Sequence, residues 1–456
     1  MNYDLRQAAN PAESQGSLLV LALLALPAGA AAGLVGALFR LALERANHLR
    51  DAWIAHAHGA TLLGFLFVIA TCSASVVVAA WLVRRFSPYA SGSGIPHVEA
   101  VLQGQLYPSP YGLVLVKFVG GILAIGSGLA LGREGPCVQM GARLGHLVGR
   151  LCRRSLTDCR VLFAAGAGAG LATAFNAPFA GALFVLEELV QRLDHRIAIA
   201  ALAASATAIA VARVLLGDAP DFHVPALGQP EAGTGPLFFA LGGLAGLLAV
   251  AYNRTLLATL AAAGKLSGLP VEIRAGLIGA LVGTLAWFAP DLVGGGDAIT
   301  QRLLAGTETL ALVPLAFAVR FGLGAVSYAA ATPGGLFAPL LVLGAQSGLV
   351  FGAACRLVLP DLHVMPEAFA IVGMAAFFTG TVRAPLTGMV LVSEMTGNVT
   401  MLLPMLEACF TAMLVPALLR SAPIYDSLRE DLVRREQARR SNIASGKELT
   451  GLHGSG

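Results

Sequence analysis

Four stretches of the chain, 17–39, 61–83, 161–186 and 321–355, carry no charged residue over lengths that match a lipid bilayer. About 20 consecutive apolar residues suffice to cross the hydrocarbon core as a helix. Only 12% of the residues are charged and the mean hydropathy is +0.75. Soluble proteins carry about twice that share of charge, so a soluble enzyme is excluded. The fold class expected is an all-α, polytopic membrane protein.

The first run imitates a cleavable leader, with "PAGAAAG" at its end. Its flank, however, mixes Asp4 and Glu13 with Arg6, and the apolar run continues to Phe39. A retained first transmembrane helix is the expectation. The six cysteines (Cys72, Cys137, Cys152, Cys159, Cys355, Cys409) are scattered without a C-x-x-C pair. They read as small packing residues, with neither a disulfide framework nor a metal site.

The chain repeats itself. "GREGPCVQMGARLG" (132–145) lies over "GLFAPLLVLGAQSG" (335–348) at an offset of 203, and the same offset puts "VKF" (116–118) on "VRF" (319–321). "APFAGALFVLE" (177–187) matches "APLTGMVLVSE" (384–394) at an offset of 207. One four-residue insertion reconciles the two registers. Basic residues then orient the copies. Arg84 and Arg85, Arg153 with Arg154 and Arg160, and Arg192 with Arg196 follow apolar segments of the first copy. The equivalent places in the second copy hold one Lys or Arg, Arg356. The positive-inside rule puts the first set in the cytoplasm and the mates outside. The halves are therefore inverted, an architecture that builds a site near the bilayer midplane.

The expected organisation is a cytoplasmic N-terminal segment (1–16), a first transmembrane repeat (17–216), a linker (217–234), a second, inverted repeat (235–420) and a cytoplasmic tail (421–456). The tail carries six Lys/Arg against five Asp/Glu and is too short for a regulatory domain pair. Both termini are expected in the cytoplasm. The net charge of +4 is modest, and no nucleic-acid partner is expected.

Glycine and proline interrupt the apolar runs at "SGSGIP" (91–96), "GREGP" (132–136) and "PGGLFAP" (333–339). Such breaks at membrane depth persist only where backbone is buried in protein or lines a cavity. A Gly-rich turn followed by a helix points unpaired N–H groups and the positive end of the helix at one place. That suits an anion held without a fixed cation, such as chloride. None of the turns fits a nucleotide loop, G-x-x-x-x-G-K-[ST]. Glu134 sits inside the second break, although a carboxylate at the centre of a membrane helix costs about 3 kcal/mol on insertion scales. Its repeat mate is Phe337. Glu187 has a mate in Glu394, whereas Glu188 falls on Met395. The unmatched acids are the ones expected to carry special roles. Lys117 and Arg320 are mates, expected to pair with Glu99 and another acid at helix ends or to snorkel to the interface.

With "GSGIP", "GREGP" and "GGLFAP" in that order, a Tyr beyond the last helix, and "RAPLTGMVLVSEMTGN" between, the chain resembles the CLC family of chloride channels and proton/chloride exchangers over residues 20 to 430. The resemblance implies that Ser93, with the backbone of Gly92 and Gly94, lines a central anion site. Tyr425 would add a second hydroxyl, and the backbone N–H groups of Leu336 and Phe337 would complete it. Glu134 would be the external gate and proton acceptor. Glu188 would be the internal proton-transfer acid that marks exchangers. A homodimer with one pathway per subunit in the cell (inner) membrane is implied, with chloride as the transported ligand and no cofactor. Ser93 stands where nitrate-preferring plant relatives carry proline, and His97 stands where bacterial relatives often carry an acid. The alternative function is a passive chloride channel of the same fold. A sodium-coupled symporter would need a buried carboxylate cluster that the sequence lacks.

Overall fold

A computed structural model of the chain describes residues 11–225, 228, 231–266 and 268–444. It is helical throughout, and two isolated bridges are the only β pairing among the described residues. In chain order the helices are α1 (Pro11–Ala57), α2 (Thr61–Phe86), α3 (Ile95–Leu102), α4 (Gly112–Gly126), α5 (Glu134–Leu151), α6 (Leu156–Phe175), α7 (Pro178–Phe184), α8 (His195–Leu216), α9 (Gly235–Lys265), α10 (Val271–Phe288), α11 (Asp297–Leu304), α12 (Val313–Tyr328), α13 (Phe337–Val358), α14 (Pro366–Val382), α15 (Pro385–Thr396), α16 (Leu402–Leu418) and α17 (Ile424–Ala444). Among the described residues, six stretches are long and apolar enough to cross a membrane, and their outward faces are leucine- and phenylalanine-rich. The protein is a multi-pass membrane protein.

The repeat is visible helix by helix. α5 and α13 begin 203 residues apart, while α7 and α15, and α8 and α16, begin 207 apart. Contacts obey the same symmetry. Gly132 N–H donates to Gly335 C=O (2.9 Å) and Gly335 N–H returns to Gly132 C=O (2.7 Å), so mates pair with each other as they must on a two-fold axis. A residue and its mate exchange partners elsewhere too. Glu187 accepts from the N–H groups of Leu386 and Thr387 at the start of α15 (3.0 and 2.6 Å), and Glu394 accepts from Phe179 and Ala180 at the start of α7 (3.1 and 2.8 Å). Each half thus supplies the anionic cap for a helix of the other.

Close packing of the broken helices depends on glycine. Gly141 of α5 abuts the Gly166 carbonyl of α6, and the mates Gly344 and Gly373 repeat the crossing between α13 and α14. A Cβ at any of these would collide with backbone. Without a hydrophobic drive between helices in lipid, such small-residue contacts are what bring backbones together.

One expectation needs correction. The uncharged run 161–186 is not one span. It breaks at Asn176, whose left-handed backbone (φ 51°) ends α6, and its mate Arg383 (φ 75°) ends α14 in the same way. At Asn176 the chain passes through a turn before Pro178 that hydropathy alone does not register. The run 321–355 breaks between Tyr328 and Phe337, at the interruption "PGGLFAP" (333–339) expected from the sequence.

Candidate functional site

Three helix N-termini meet at the centre of the fold. α3 starts after Gly94, α5 at Glu134 and α13 at Phe337. The turns before them are laced together. Gly92 N–H donates to Thr332 C=O (3.0 Å), Gly334 N–H donates to Gly92 C=O (3.1 Å), and the Gly132–Gly335 pair joins the other two. Gly92 and Gly94 have φ of +63° and +86°, a region where a side chain is strained, so the turn before α3 requires glycine at both positions. Lys117 braces this turn from below, donating to the carbonyls of Ala90 (3.0 Å) and Gly92 (2.7 Å). Its mate Arg320 donates to the carbonyls of Leu292, Gly294 and Gly295 (3.2, 2.6 and 2.8 Å). The expected pairing of Lys117 with Glu99 is therefore wrong. Both cations satisfy carbonyls left over by the short turns ahead of α3 and α11, and Glu99 pairs instead with Arg429 of α17 (3.3 Å).

The residues singled out in the sequence come together here. Glu134 is fully buried, and its Oε1 accepts the Phe337 N–H at 2.6 Å. Ser93, fully buried, packs against Gly135 of the first turn of α5, where a Cβ would strike its hydroxyl. Tyr425, in the first turn of α17, brings its ring 5.8 Å from that of Phe337 and its hydroxyl close to Ser93. Neither the Ser93 nor the Tyr425 hydroxyl has hydrogen-bond geometry with any protein group among the described residues. A buried hydroxyl without a partner carries a desolvation penalty of about 1–3 kcal/mol, unless a ligand takes its proton. Leu336 and Phe337 are fully buried, and the Phe337 ring is packed by Phe175, Phe184 and Phe378. Gly92 differs from the others, since both its N–H and C=O are taken up in bracing.

Glu188 lies apart from this centre, in one π-helical turn (Val185–Leu189) that closes α7. The equivalent part of α15 stays α-helical through Met395. The wider turn is confined to the half that carries the extra acid, and such turns concentrate at functional positions. Glu188 is buried (6% exposed), with Glu99, Asp426 and Arg429 in its electrostatic surroundings.

Two cavities approach the centre from opposite faces. On the face of the tail helix α17, a cavity of about 620 Å³ is lined by Gly92, Gly94, His97, Tyr328, Arg274 and Arg435 among others. On the face of the linker, a cavity of about 340 Å³ is lined by Gly132, Arg133, Arg40, Asp221 and Asp297. There Asp221 joins two guanidiniums, Arg40 at 2.7 Å and Arg133 at 2.9 Å, and Arg133 also reaches Asp297 at 3.2 Å. This cluster escaped the sequence reading because its members come from four separate segments. The one available signal was an Arg beside Glu134 with an acid in the linker.

The family described as Voltage gated chloride channel matches residues 74–417. The H(+)/Cl(-) exchange transporter ClcA of Vibrio parahaemolyticus is 36% identical over 446 residues, covering 96% of this chain and 95% of that one. The protein of the same name from Salmonella arizonae is 35% identical over 431 residues, 92% of this chain and 90% of that one. Among solved structures, a slow cyanobacterial Cl-/H+ antiporter superposes with a TM-score of 0.88 at 31% identity, covering 94% of this chain and all (100%) of that one.

Proposed function

The chain belongs to the voltage gated chloride channel family, and from that premise we propose that it is a secondary active exchanger moving chloride and protons in opposite directions. The observation that carries this reading is the Glu134 carboxylate on the Phe337 N–H. A side-chain anion there uses the donor that a transported anion would use, beside two buried hydroxyls without protein partners. Carboxylate and chloride are then competitors for one place.

Exchange follows from that competition. Chloride coming from the tail-side cavity passes Ser93 and Tyr425 and displaces the carboxylate. Glu134 leaves the helix terminus more readily once protonated, because the neutral acid no longer gains from the positive helix end. The released acid carries its proton, and returning as a carboxylate it closes the path. Protons reach Glu134 from the same tail-side face by a separate route through Glu188, which sits on a different helix from the chloride ligands and beside Glu99, Asp426 and Arg429. The buried Glu188 in its π turn favours an exchanger over the passive channel, which needs no internal acid.

The positive-inside pattern supports a cytoplasmic face carrying α17 and both termini, and an external face carrying the linker. The reading extends to a homodimer in the inner membrane, each subunit with its own pathway and needing no cofactor. Reconstitution into chloride-loaded liposomes tests the reading. Chloride efflux should drive proton uptake in fixed ratio and against the proton gradient. Chloride efflux with no proton movement would make the protein a channel.

A further inference from the structure

The backbone N–H of Ser93 has a partner far away in the chain. It donates to the hydroxyl of Tyr328, the last residue of α12, at 3.2 Å. Tyr328 is buried (8% exposed) and its hydroxyl lies 2.9 Å from where a Cβ on Gly92 would stand. The glycine is what lets the phenol seat itself against the turn. A tyrosine hydroxyl has one proton to give and lone pairs to accept with. Accepting from Ser93 leaves its own proton free, and among the described residues no protein group accepts it. The side chain also lines the cavity of about 620 Å³ that opens on the tail side, together with Gly92 and Gly94.

We propose that Tyr328 is a third hydroxyl ligand of the transported halide, placed ahead of Ser93 and Tyr425 on the tail-side route. The proposal rests on the anion-site reading above. The phenol relays the donor capacity of the Ser93 amide by the length of a hydroxyl: N–H to phenol oxygen, phenol O–H to anion. Each member of such a chain polarises the next, which strengthens the terminal donor. A halide arriving from the cavity meets a neutral donor first. It is partly dehydrated there without being trapped, then passes to the two unpartnered hydroxyls deeper in the protein. No cation is needed at this step. Arg274 and Arg435 line the same cavity, as does Asp431, which pairs with Arg435 at 2.7 Å. The net positive charge left there raises the local anion concentration without setting the binding geometry.

The test is crystallography with bromide, read by anomalous scattering, on the full chain. The wild type should give one peak within hydrogen-bond reach of the Tyr328 hydroxyl and another between Ser93 and Tyr425. In Tyr328→Phe the first peak should disappear or move onto the freed Ser93 amide while the second stays. Removing one hydrogen bond to an ion should weaken chloride binding by calorimetry by at least about threefold, part of the loss being recovered by that amide. The half-saturating chloride concentration on the tail side should rise, with the proton-to-chloride ratio unchanged, because neither Glu134 nor Glu188 is touched. A wild-type peak at Ser93 and Tyr425 with none at Tyr328 would reduce Tyr328 to a brace for the turn and leave the site reading intact. No peak at either place would overturn both. The wild-type diffraction does not depend on the variant folding. Tyr328→Phe that keeps the deeper peak but binds chloride as the wild type does would also overturn the proposal.

Discussion

Glu134 and Phe337 are repeat mates, 203 residues apart, and they are also hydrogen-bonded to each other at 2.6 Å. In a perfectly symmetric protein, equivalent groups on the two-fold axis would make the same contact twice. Here one helix N-terminus contributes an acid and the other an amide with an aromatic ring, so the symmetric frame holds an asymmetric bond. Glu134→Gln keeps the size of the side chain but cannot compete as an anion. The expected result is chloride transport that persists, no longer varies with pH and moves no protons. The wild type should speed up as the pH falls, since protonation releases the carboxylate from Phe337. Flux assays at several pH values check this; proton coupling retained in the variant would break the mechanism.

Glu188 should separate the two ions. Glu188→Gln leaves Ser93, Tyr425 and Glu134 in place, so chloride flux should remain within a few-fold of the wild type, an order-of-magnitude expectation for a residue off the anion path. Proton movement should fall to background in the same liposomes. Uphill proton transport surviving in this variant would make Glu188 a helix-end charge and no more.

The neighbouring acid should behave in the opposite way. Glu187 accepts from the Leu386 and Thr387 N–H groups and from the Thr387 hydroxyl (2.7 Å), while Glu394 accepts from two N–H groups. Both are caps joining the halves, so Glu187→Gln and Glu394→Gln should each lose about 1–2 kcal/mol of stability. The former should lose more, having the extra hydroxyl. Thermal unfolding in detergent measures this, with coupled transport retained at temperatures where the variants are folded. Loss of coupling in folded Glu187→Gln would overturn the division of labour between the two adjacent acids.

Much of this was legible because the repeat is written in residues that cannot drift. Gly141 and Gly344 sit where any Cβ would strike backbone, and Pro178 and Pro385 both open a helix after a break. Such positions keep their spacing, and the offsets of 203 and 207 give the helix starts directly. The break at Asn176 was not legible, since an Asn between apolar neighbours does not interrupt a hydropathy run. Nor was the π turn at Glu188, whose extra backbone width leaves no compositional mark. Lys117 was misassigned because charge pairing is a rule about side chains, whereas its partners are carbonyls. Tyr328 and Ser93 are 235 residues apart in sequence, and no periodicity links them.

The linker-side mouth supplies the remaining prediction. Asp221 holds Arg40 and Arg133 together, and Arg133 immediately precedes Glu134, donating also to the Ala174 carbonyl (2.8 Å). The linker therefore does more than connect the halves: its carboxylate offsets part of the guanidinium charge beside Glu134, with Asp297 against Arg133 as well. Asp221→Asn keeps the shape and removes the charge. A unit charge about 8 Å from an arriving anion in a water-like medium is worth about 0.5 kcal/mol, roughly a twofold change in local anion concentration. The half-saturating chloride concentration on the linker side should fall by about that factor at low ionic strength. The two proteins should converge as inert salt rises, because screening acts over about 10 Å at 0.1 M. Asp221→Glu should restore the wild-type value if charge is the cause. Equal affinities at low salt, or a difference that survives high salt, would mean that Asp221 acts through the position of Arg133 and not through the field at the mouth.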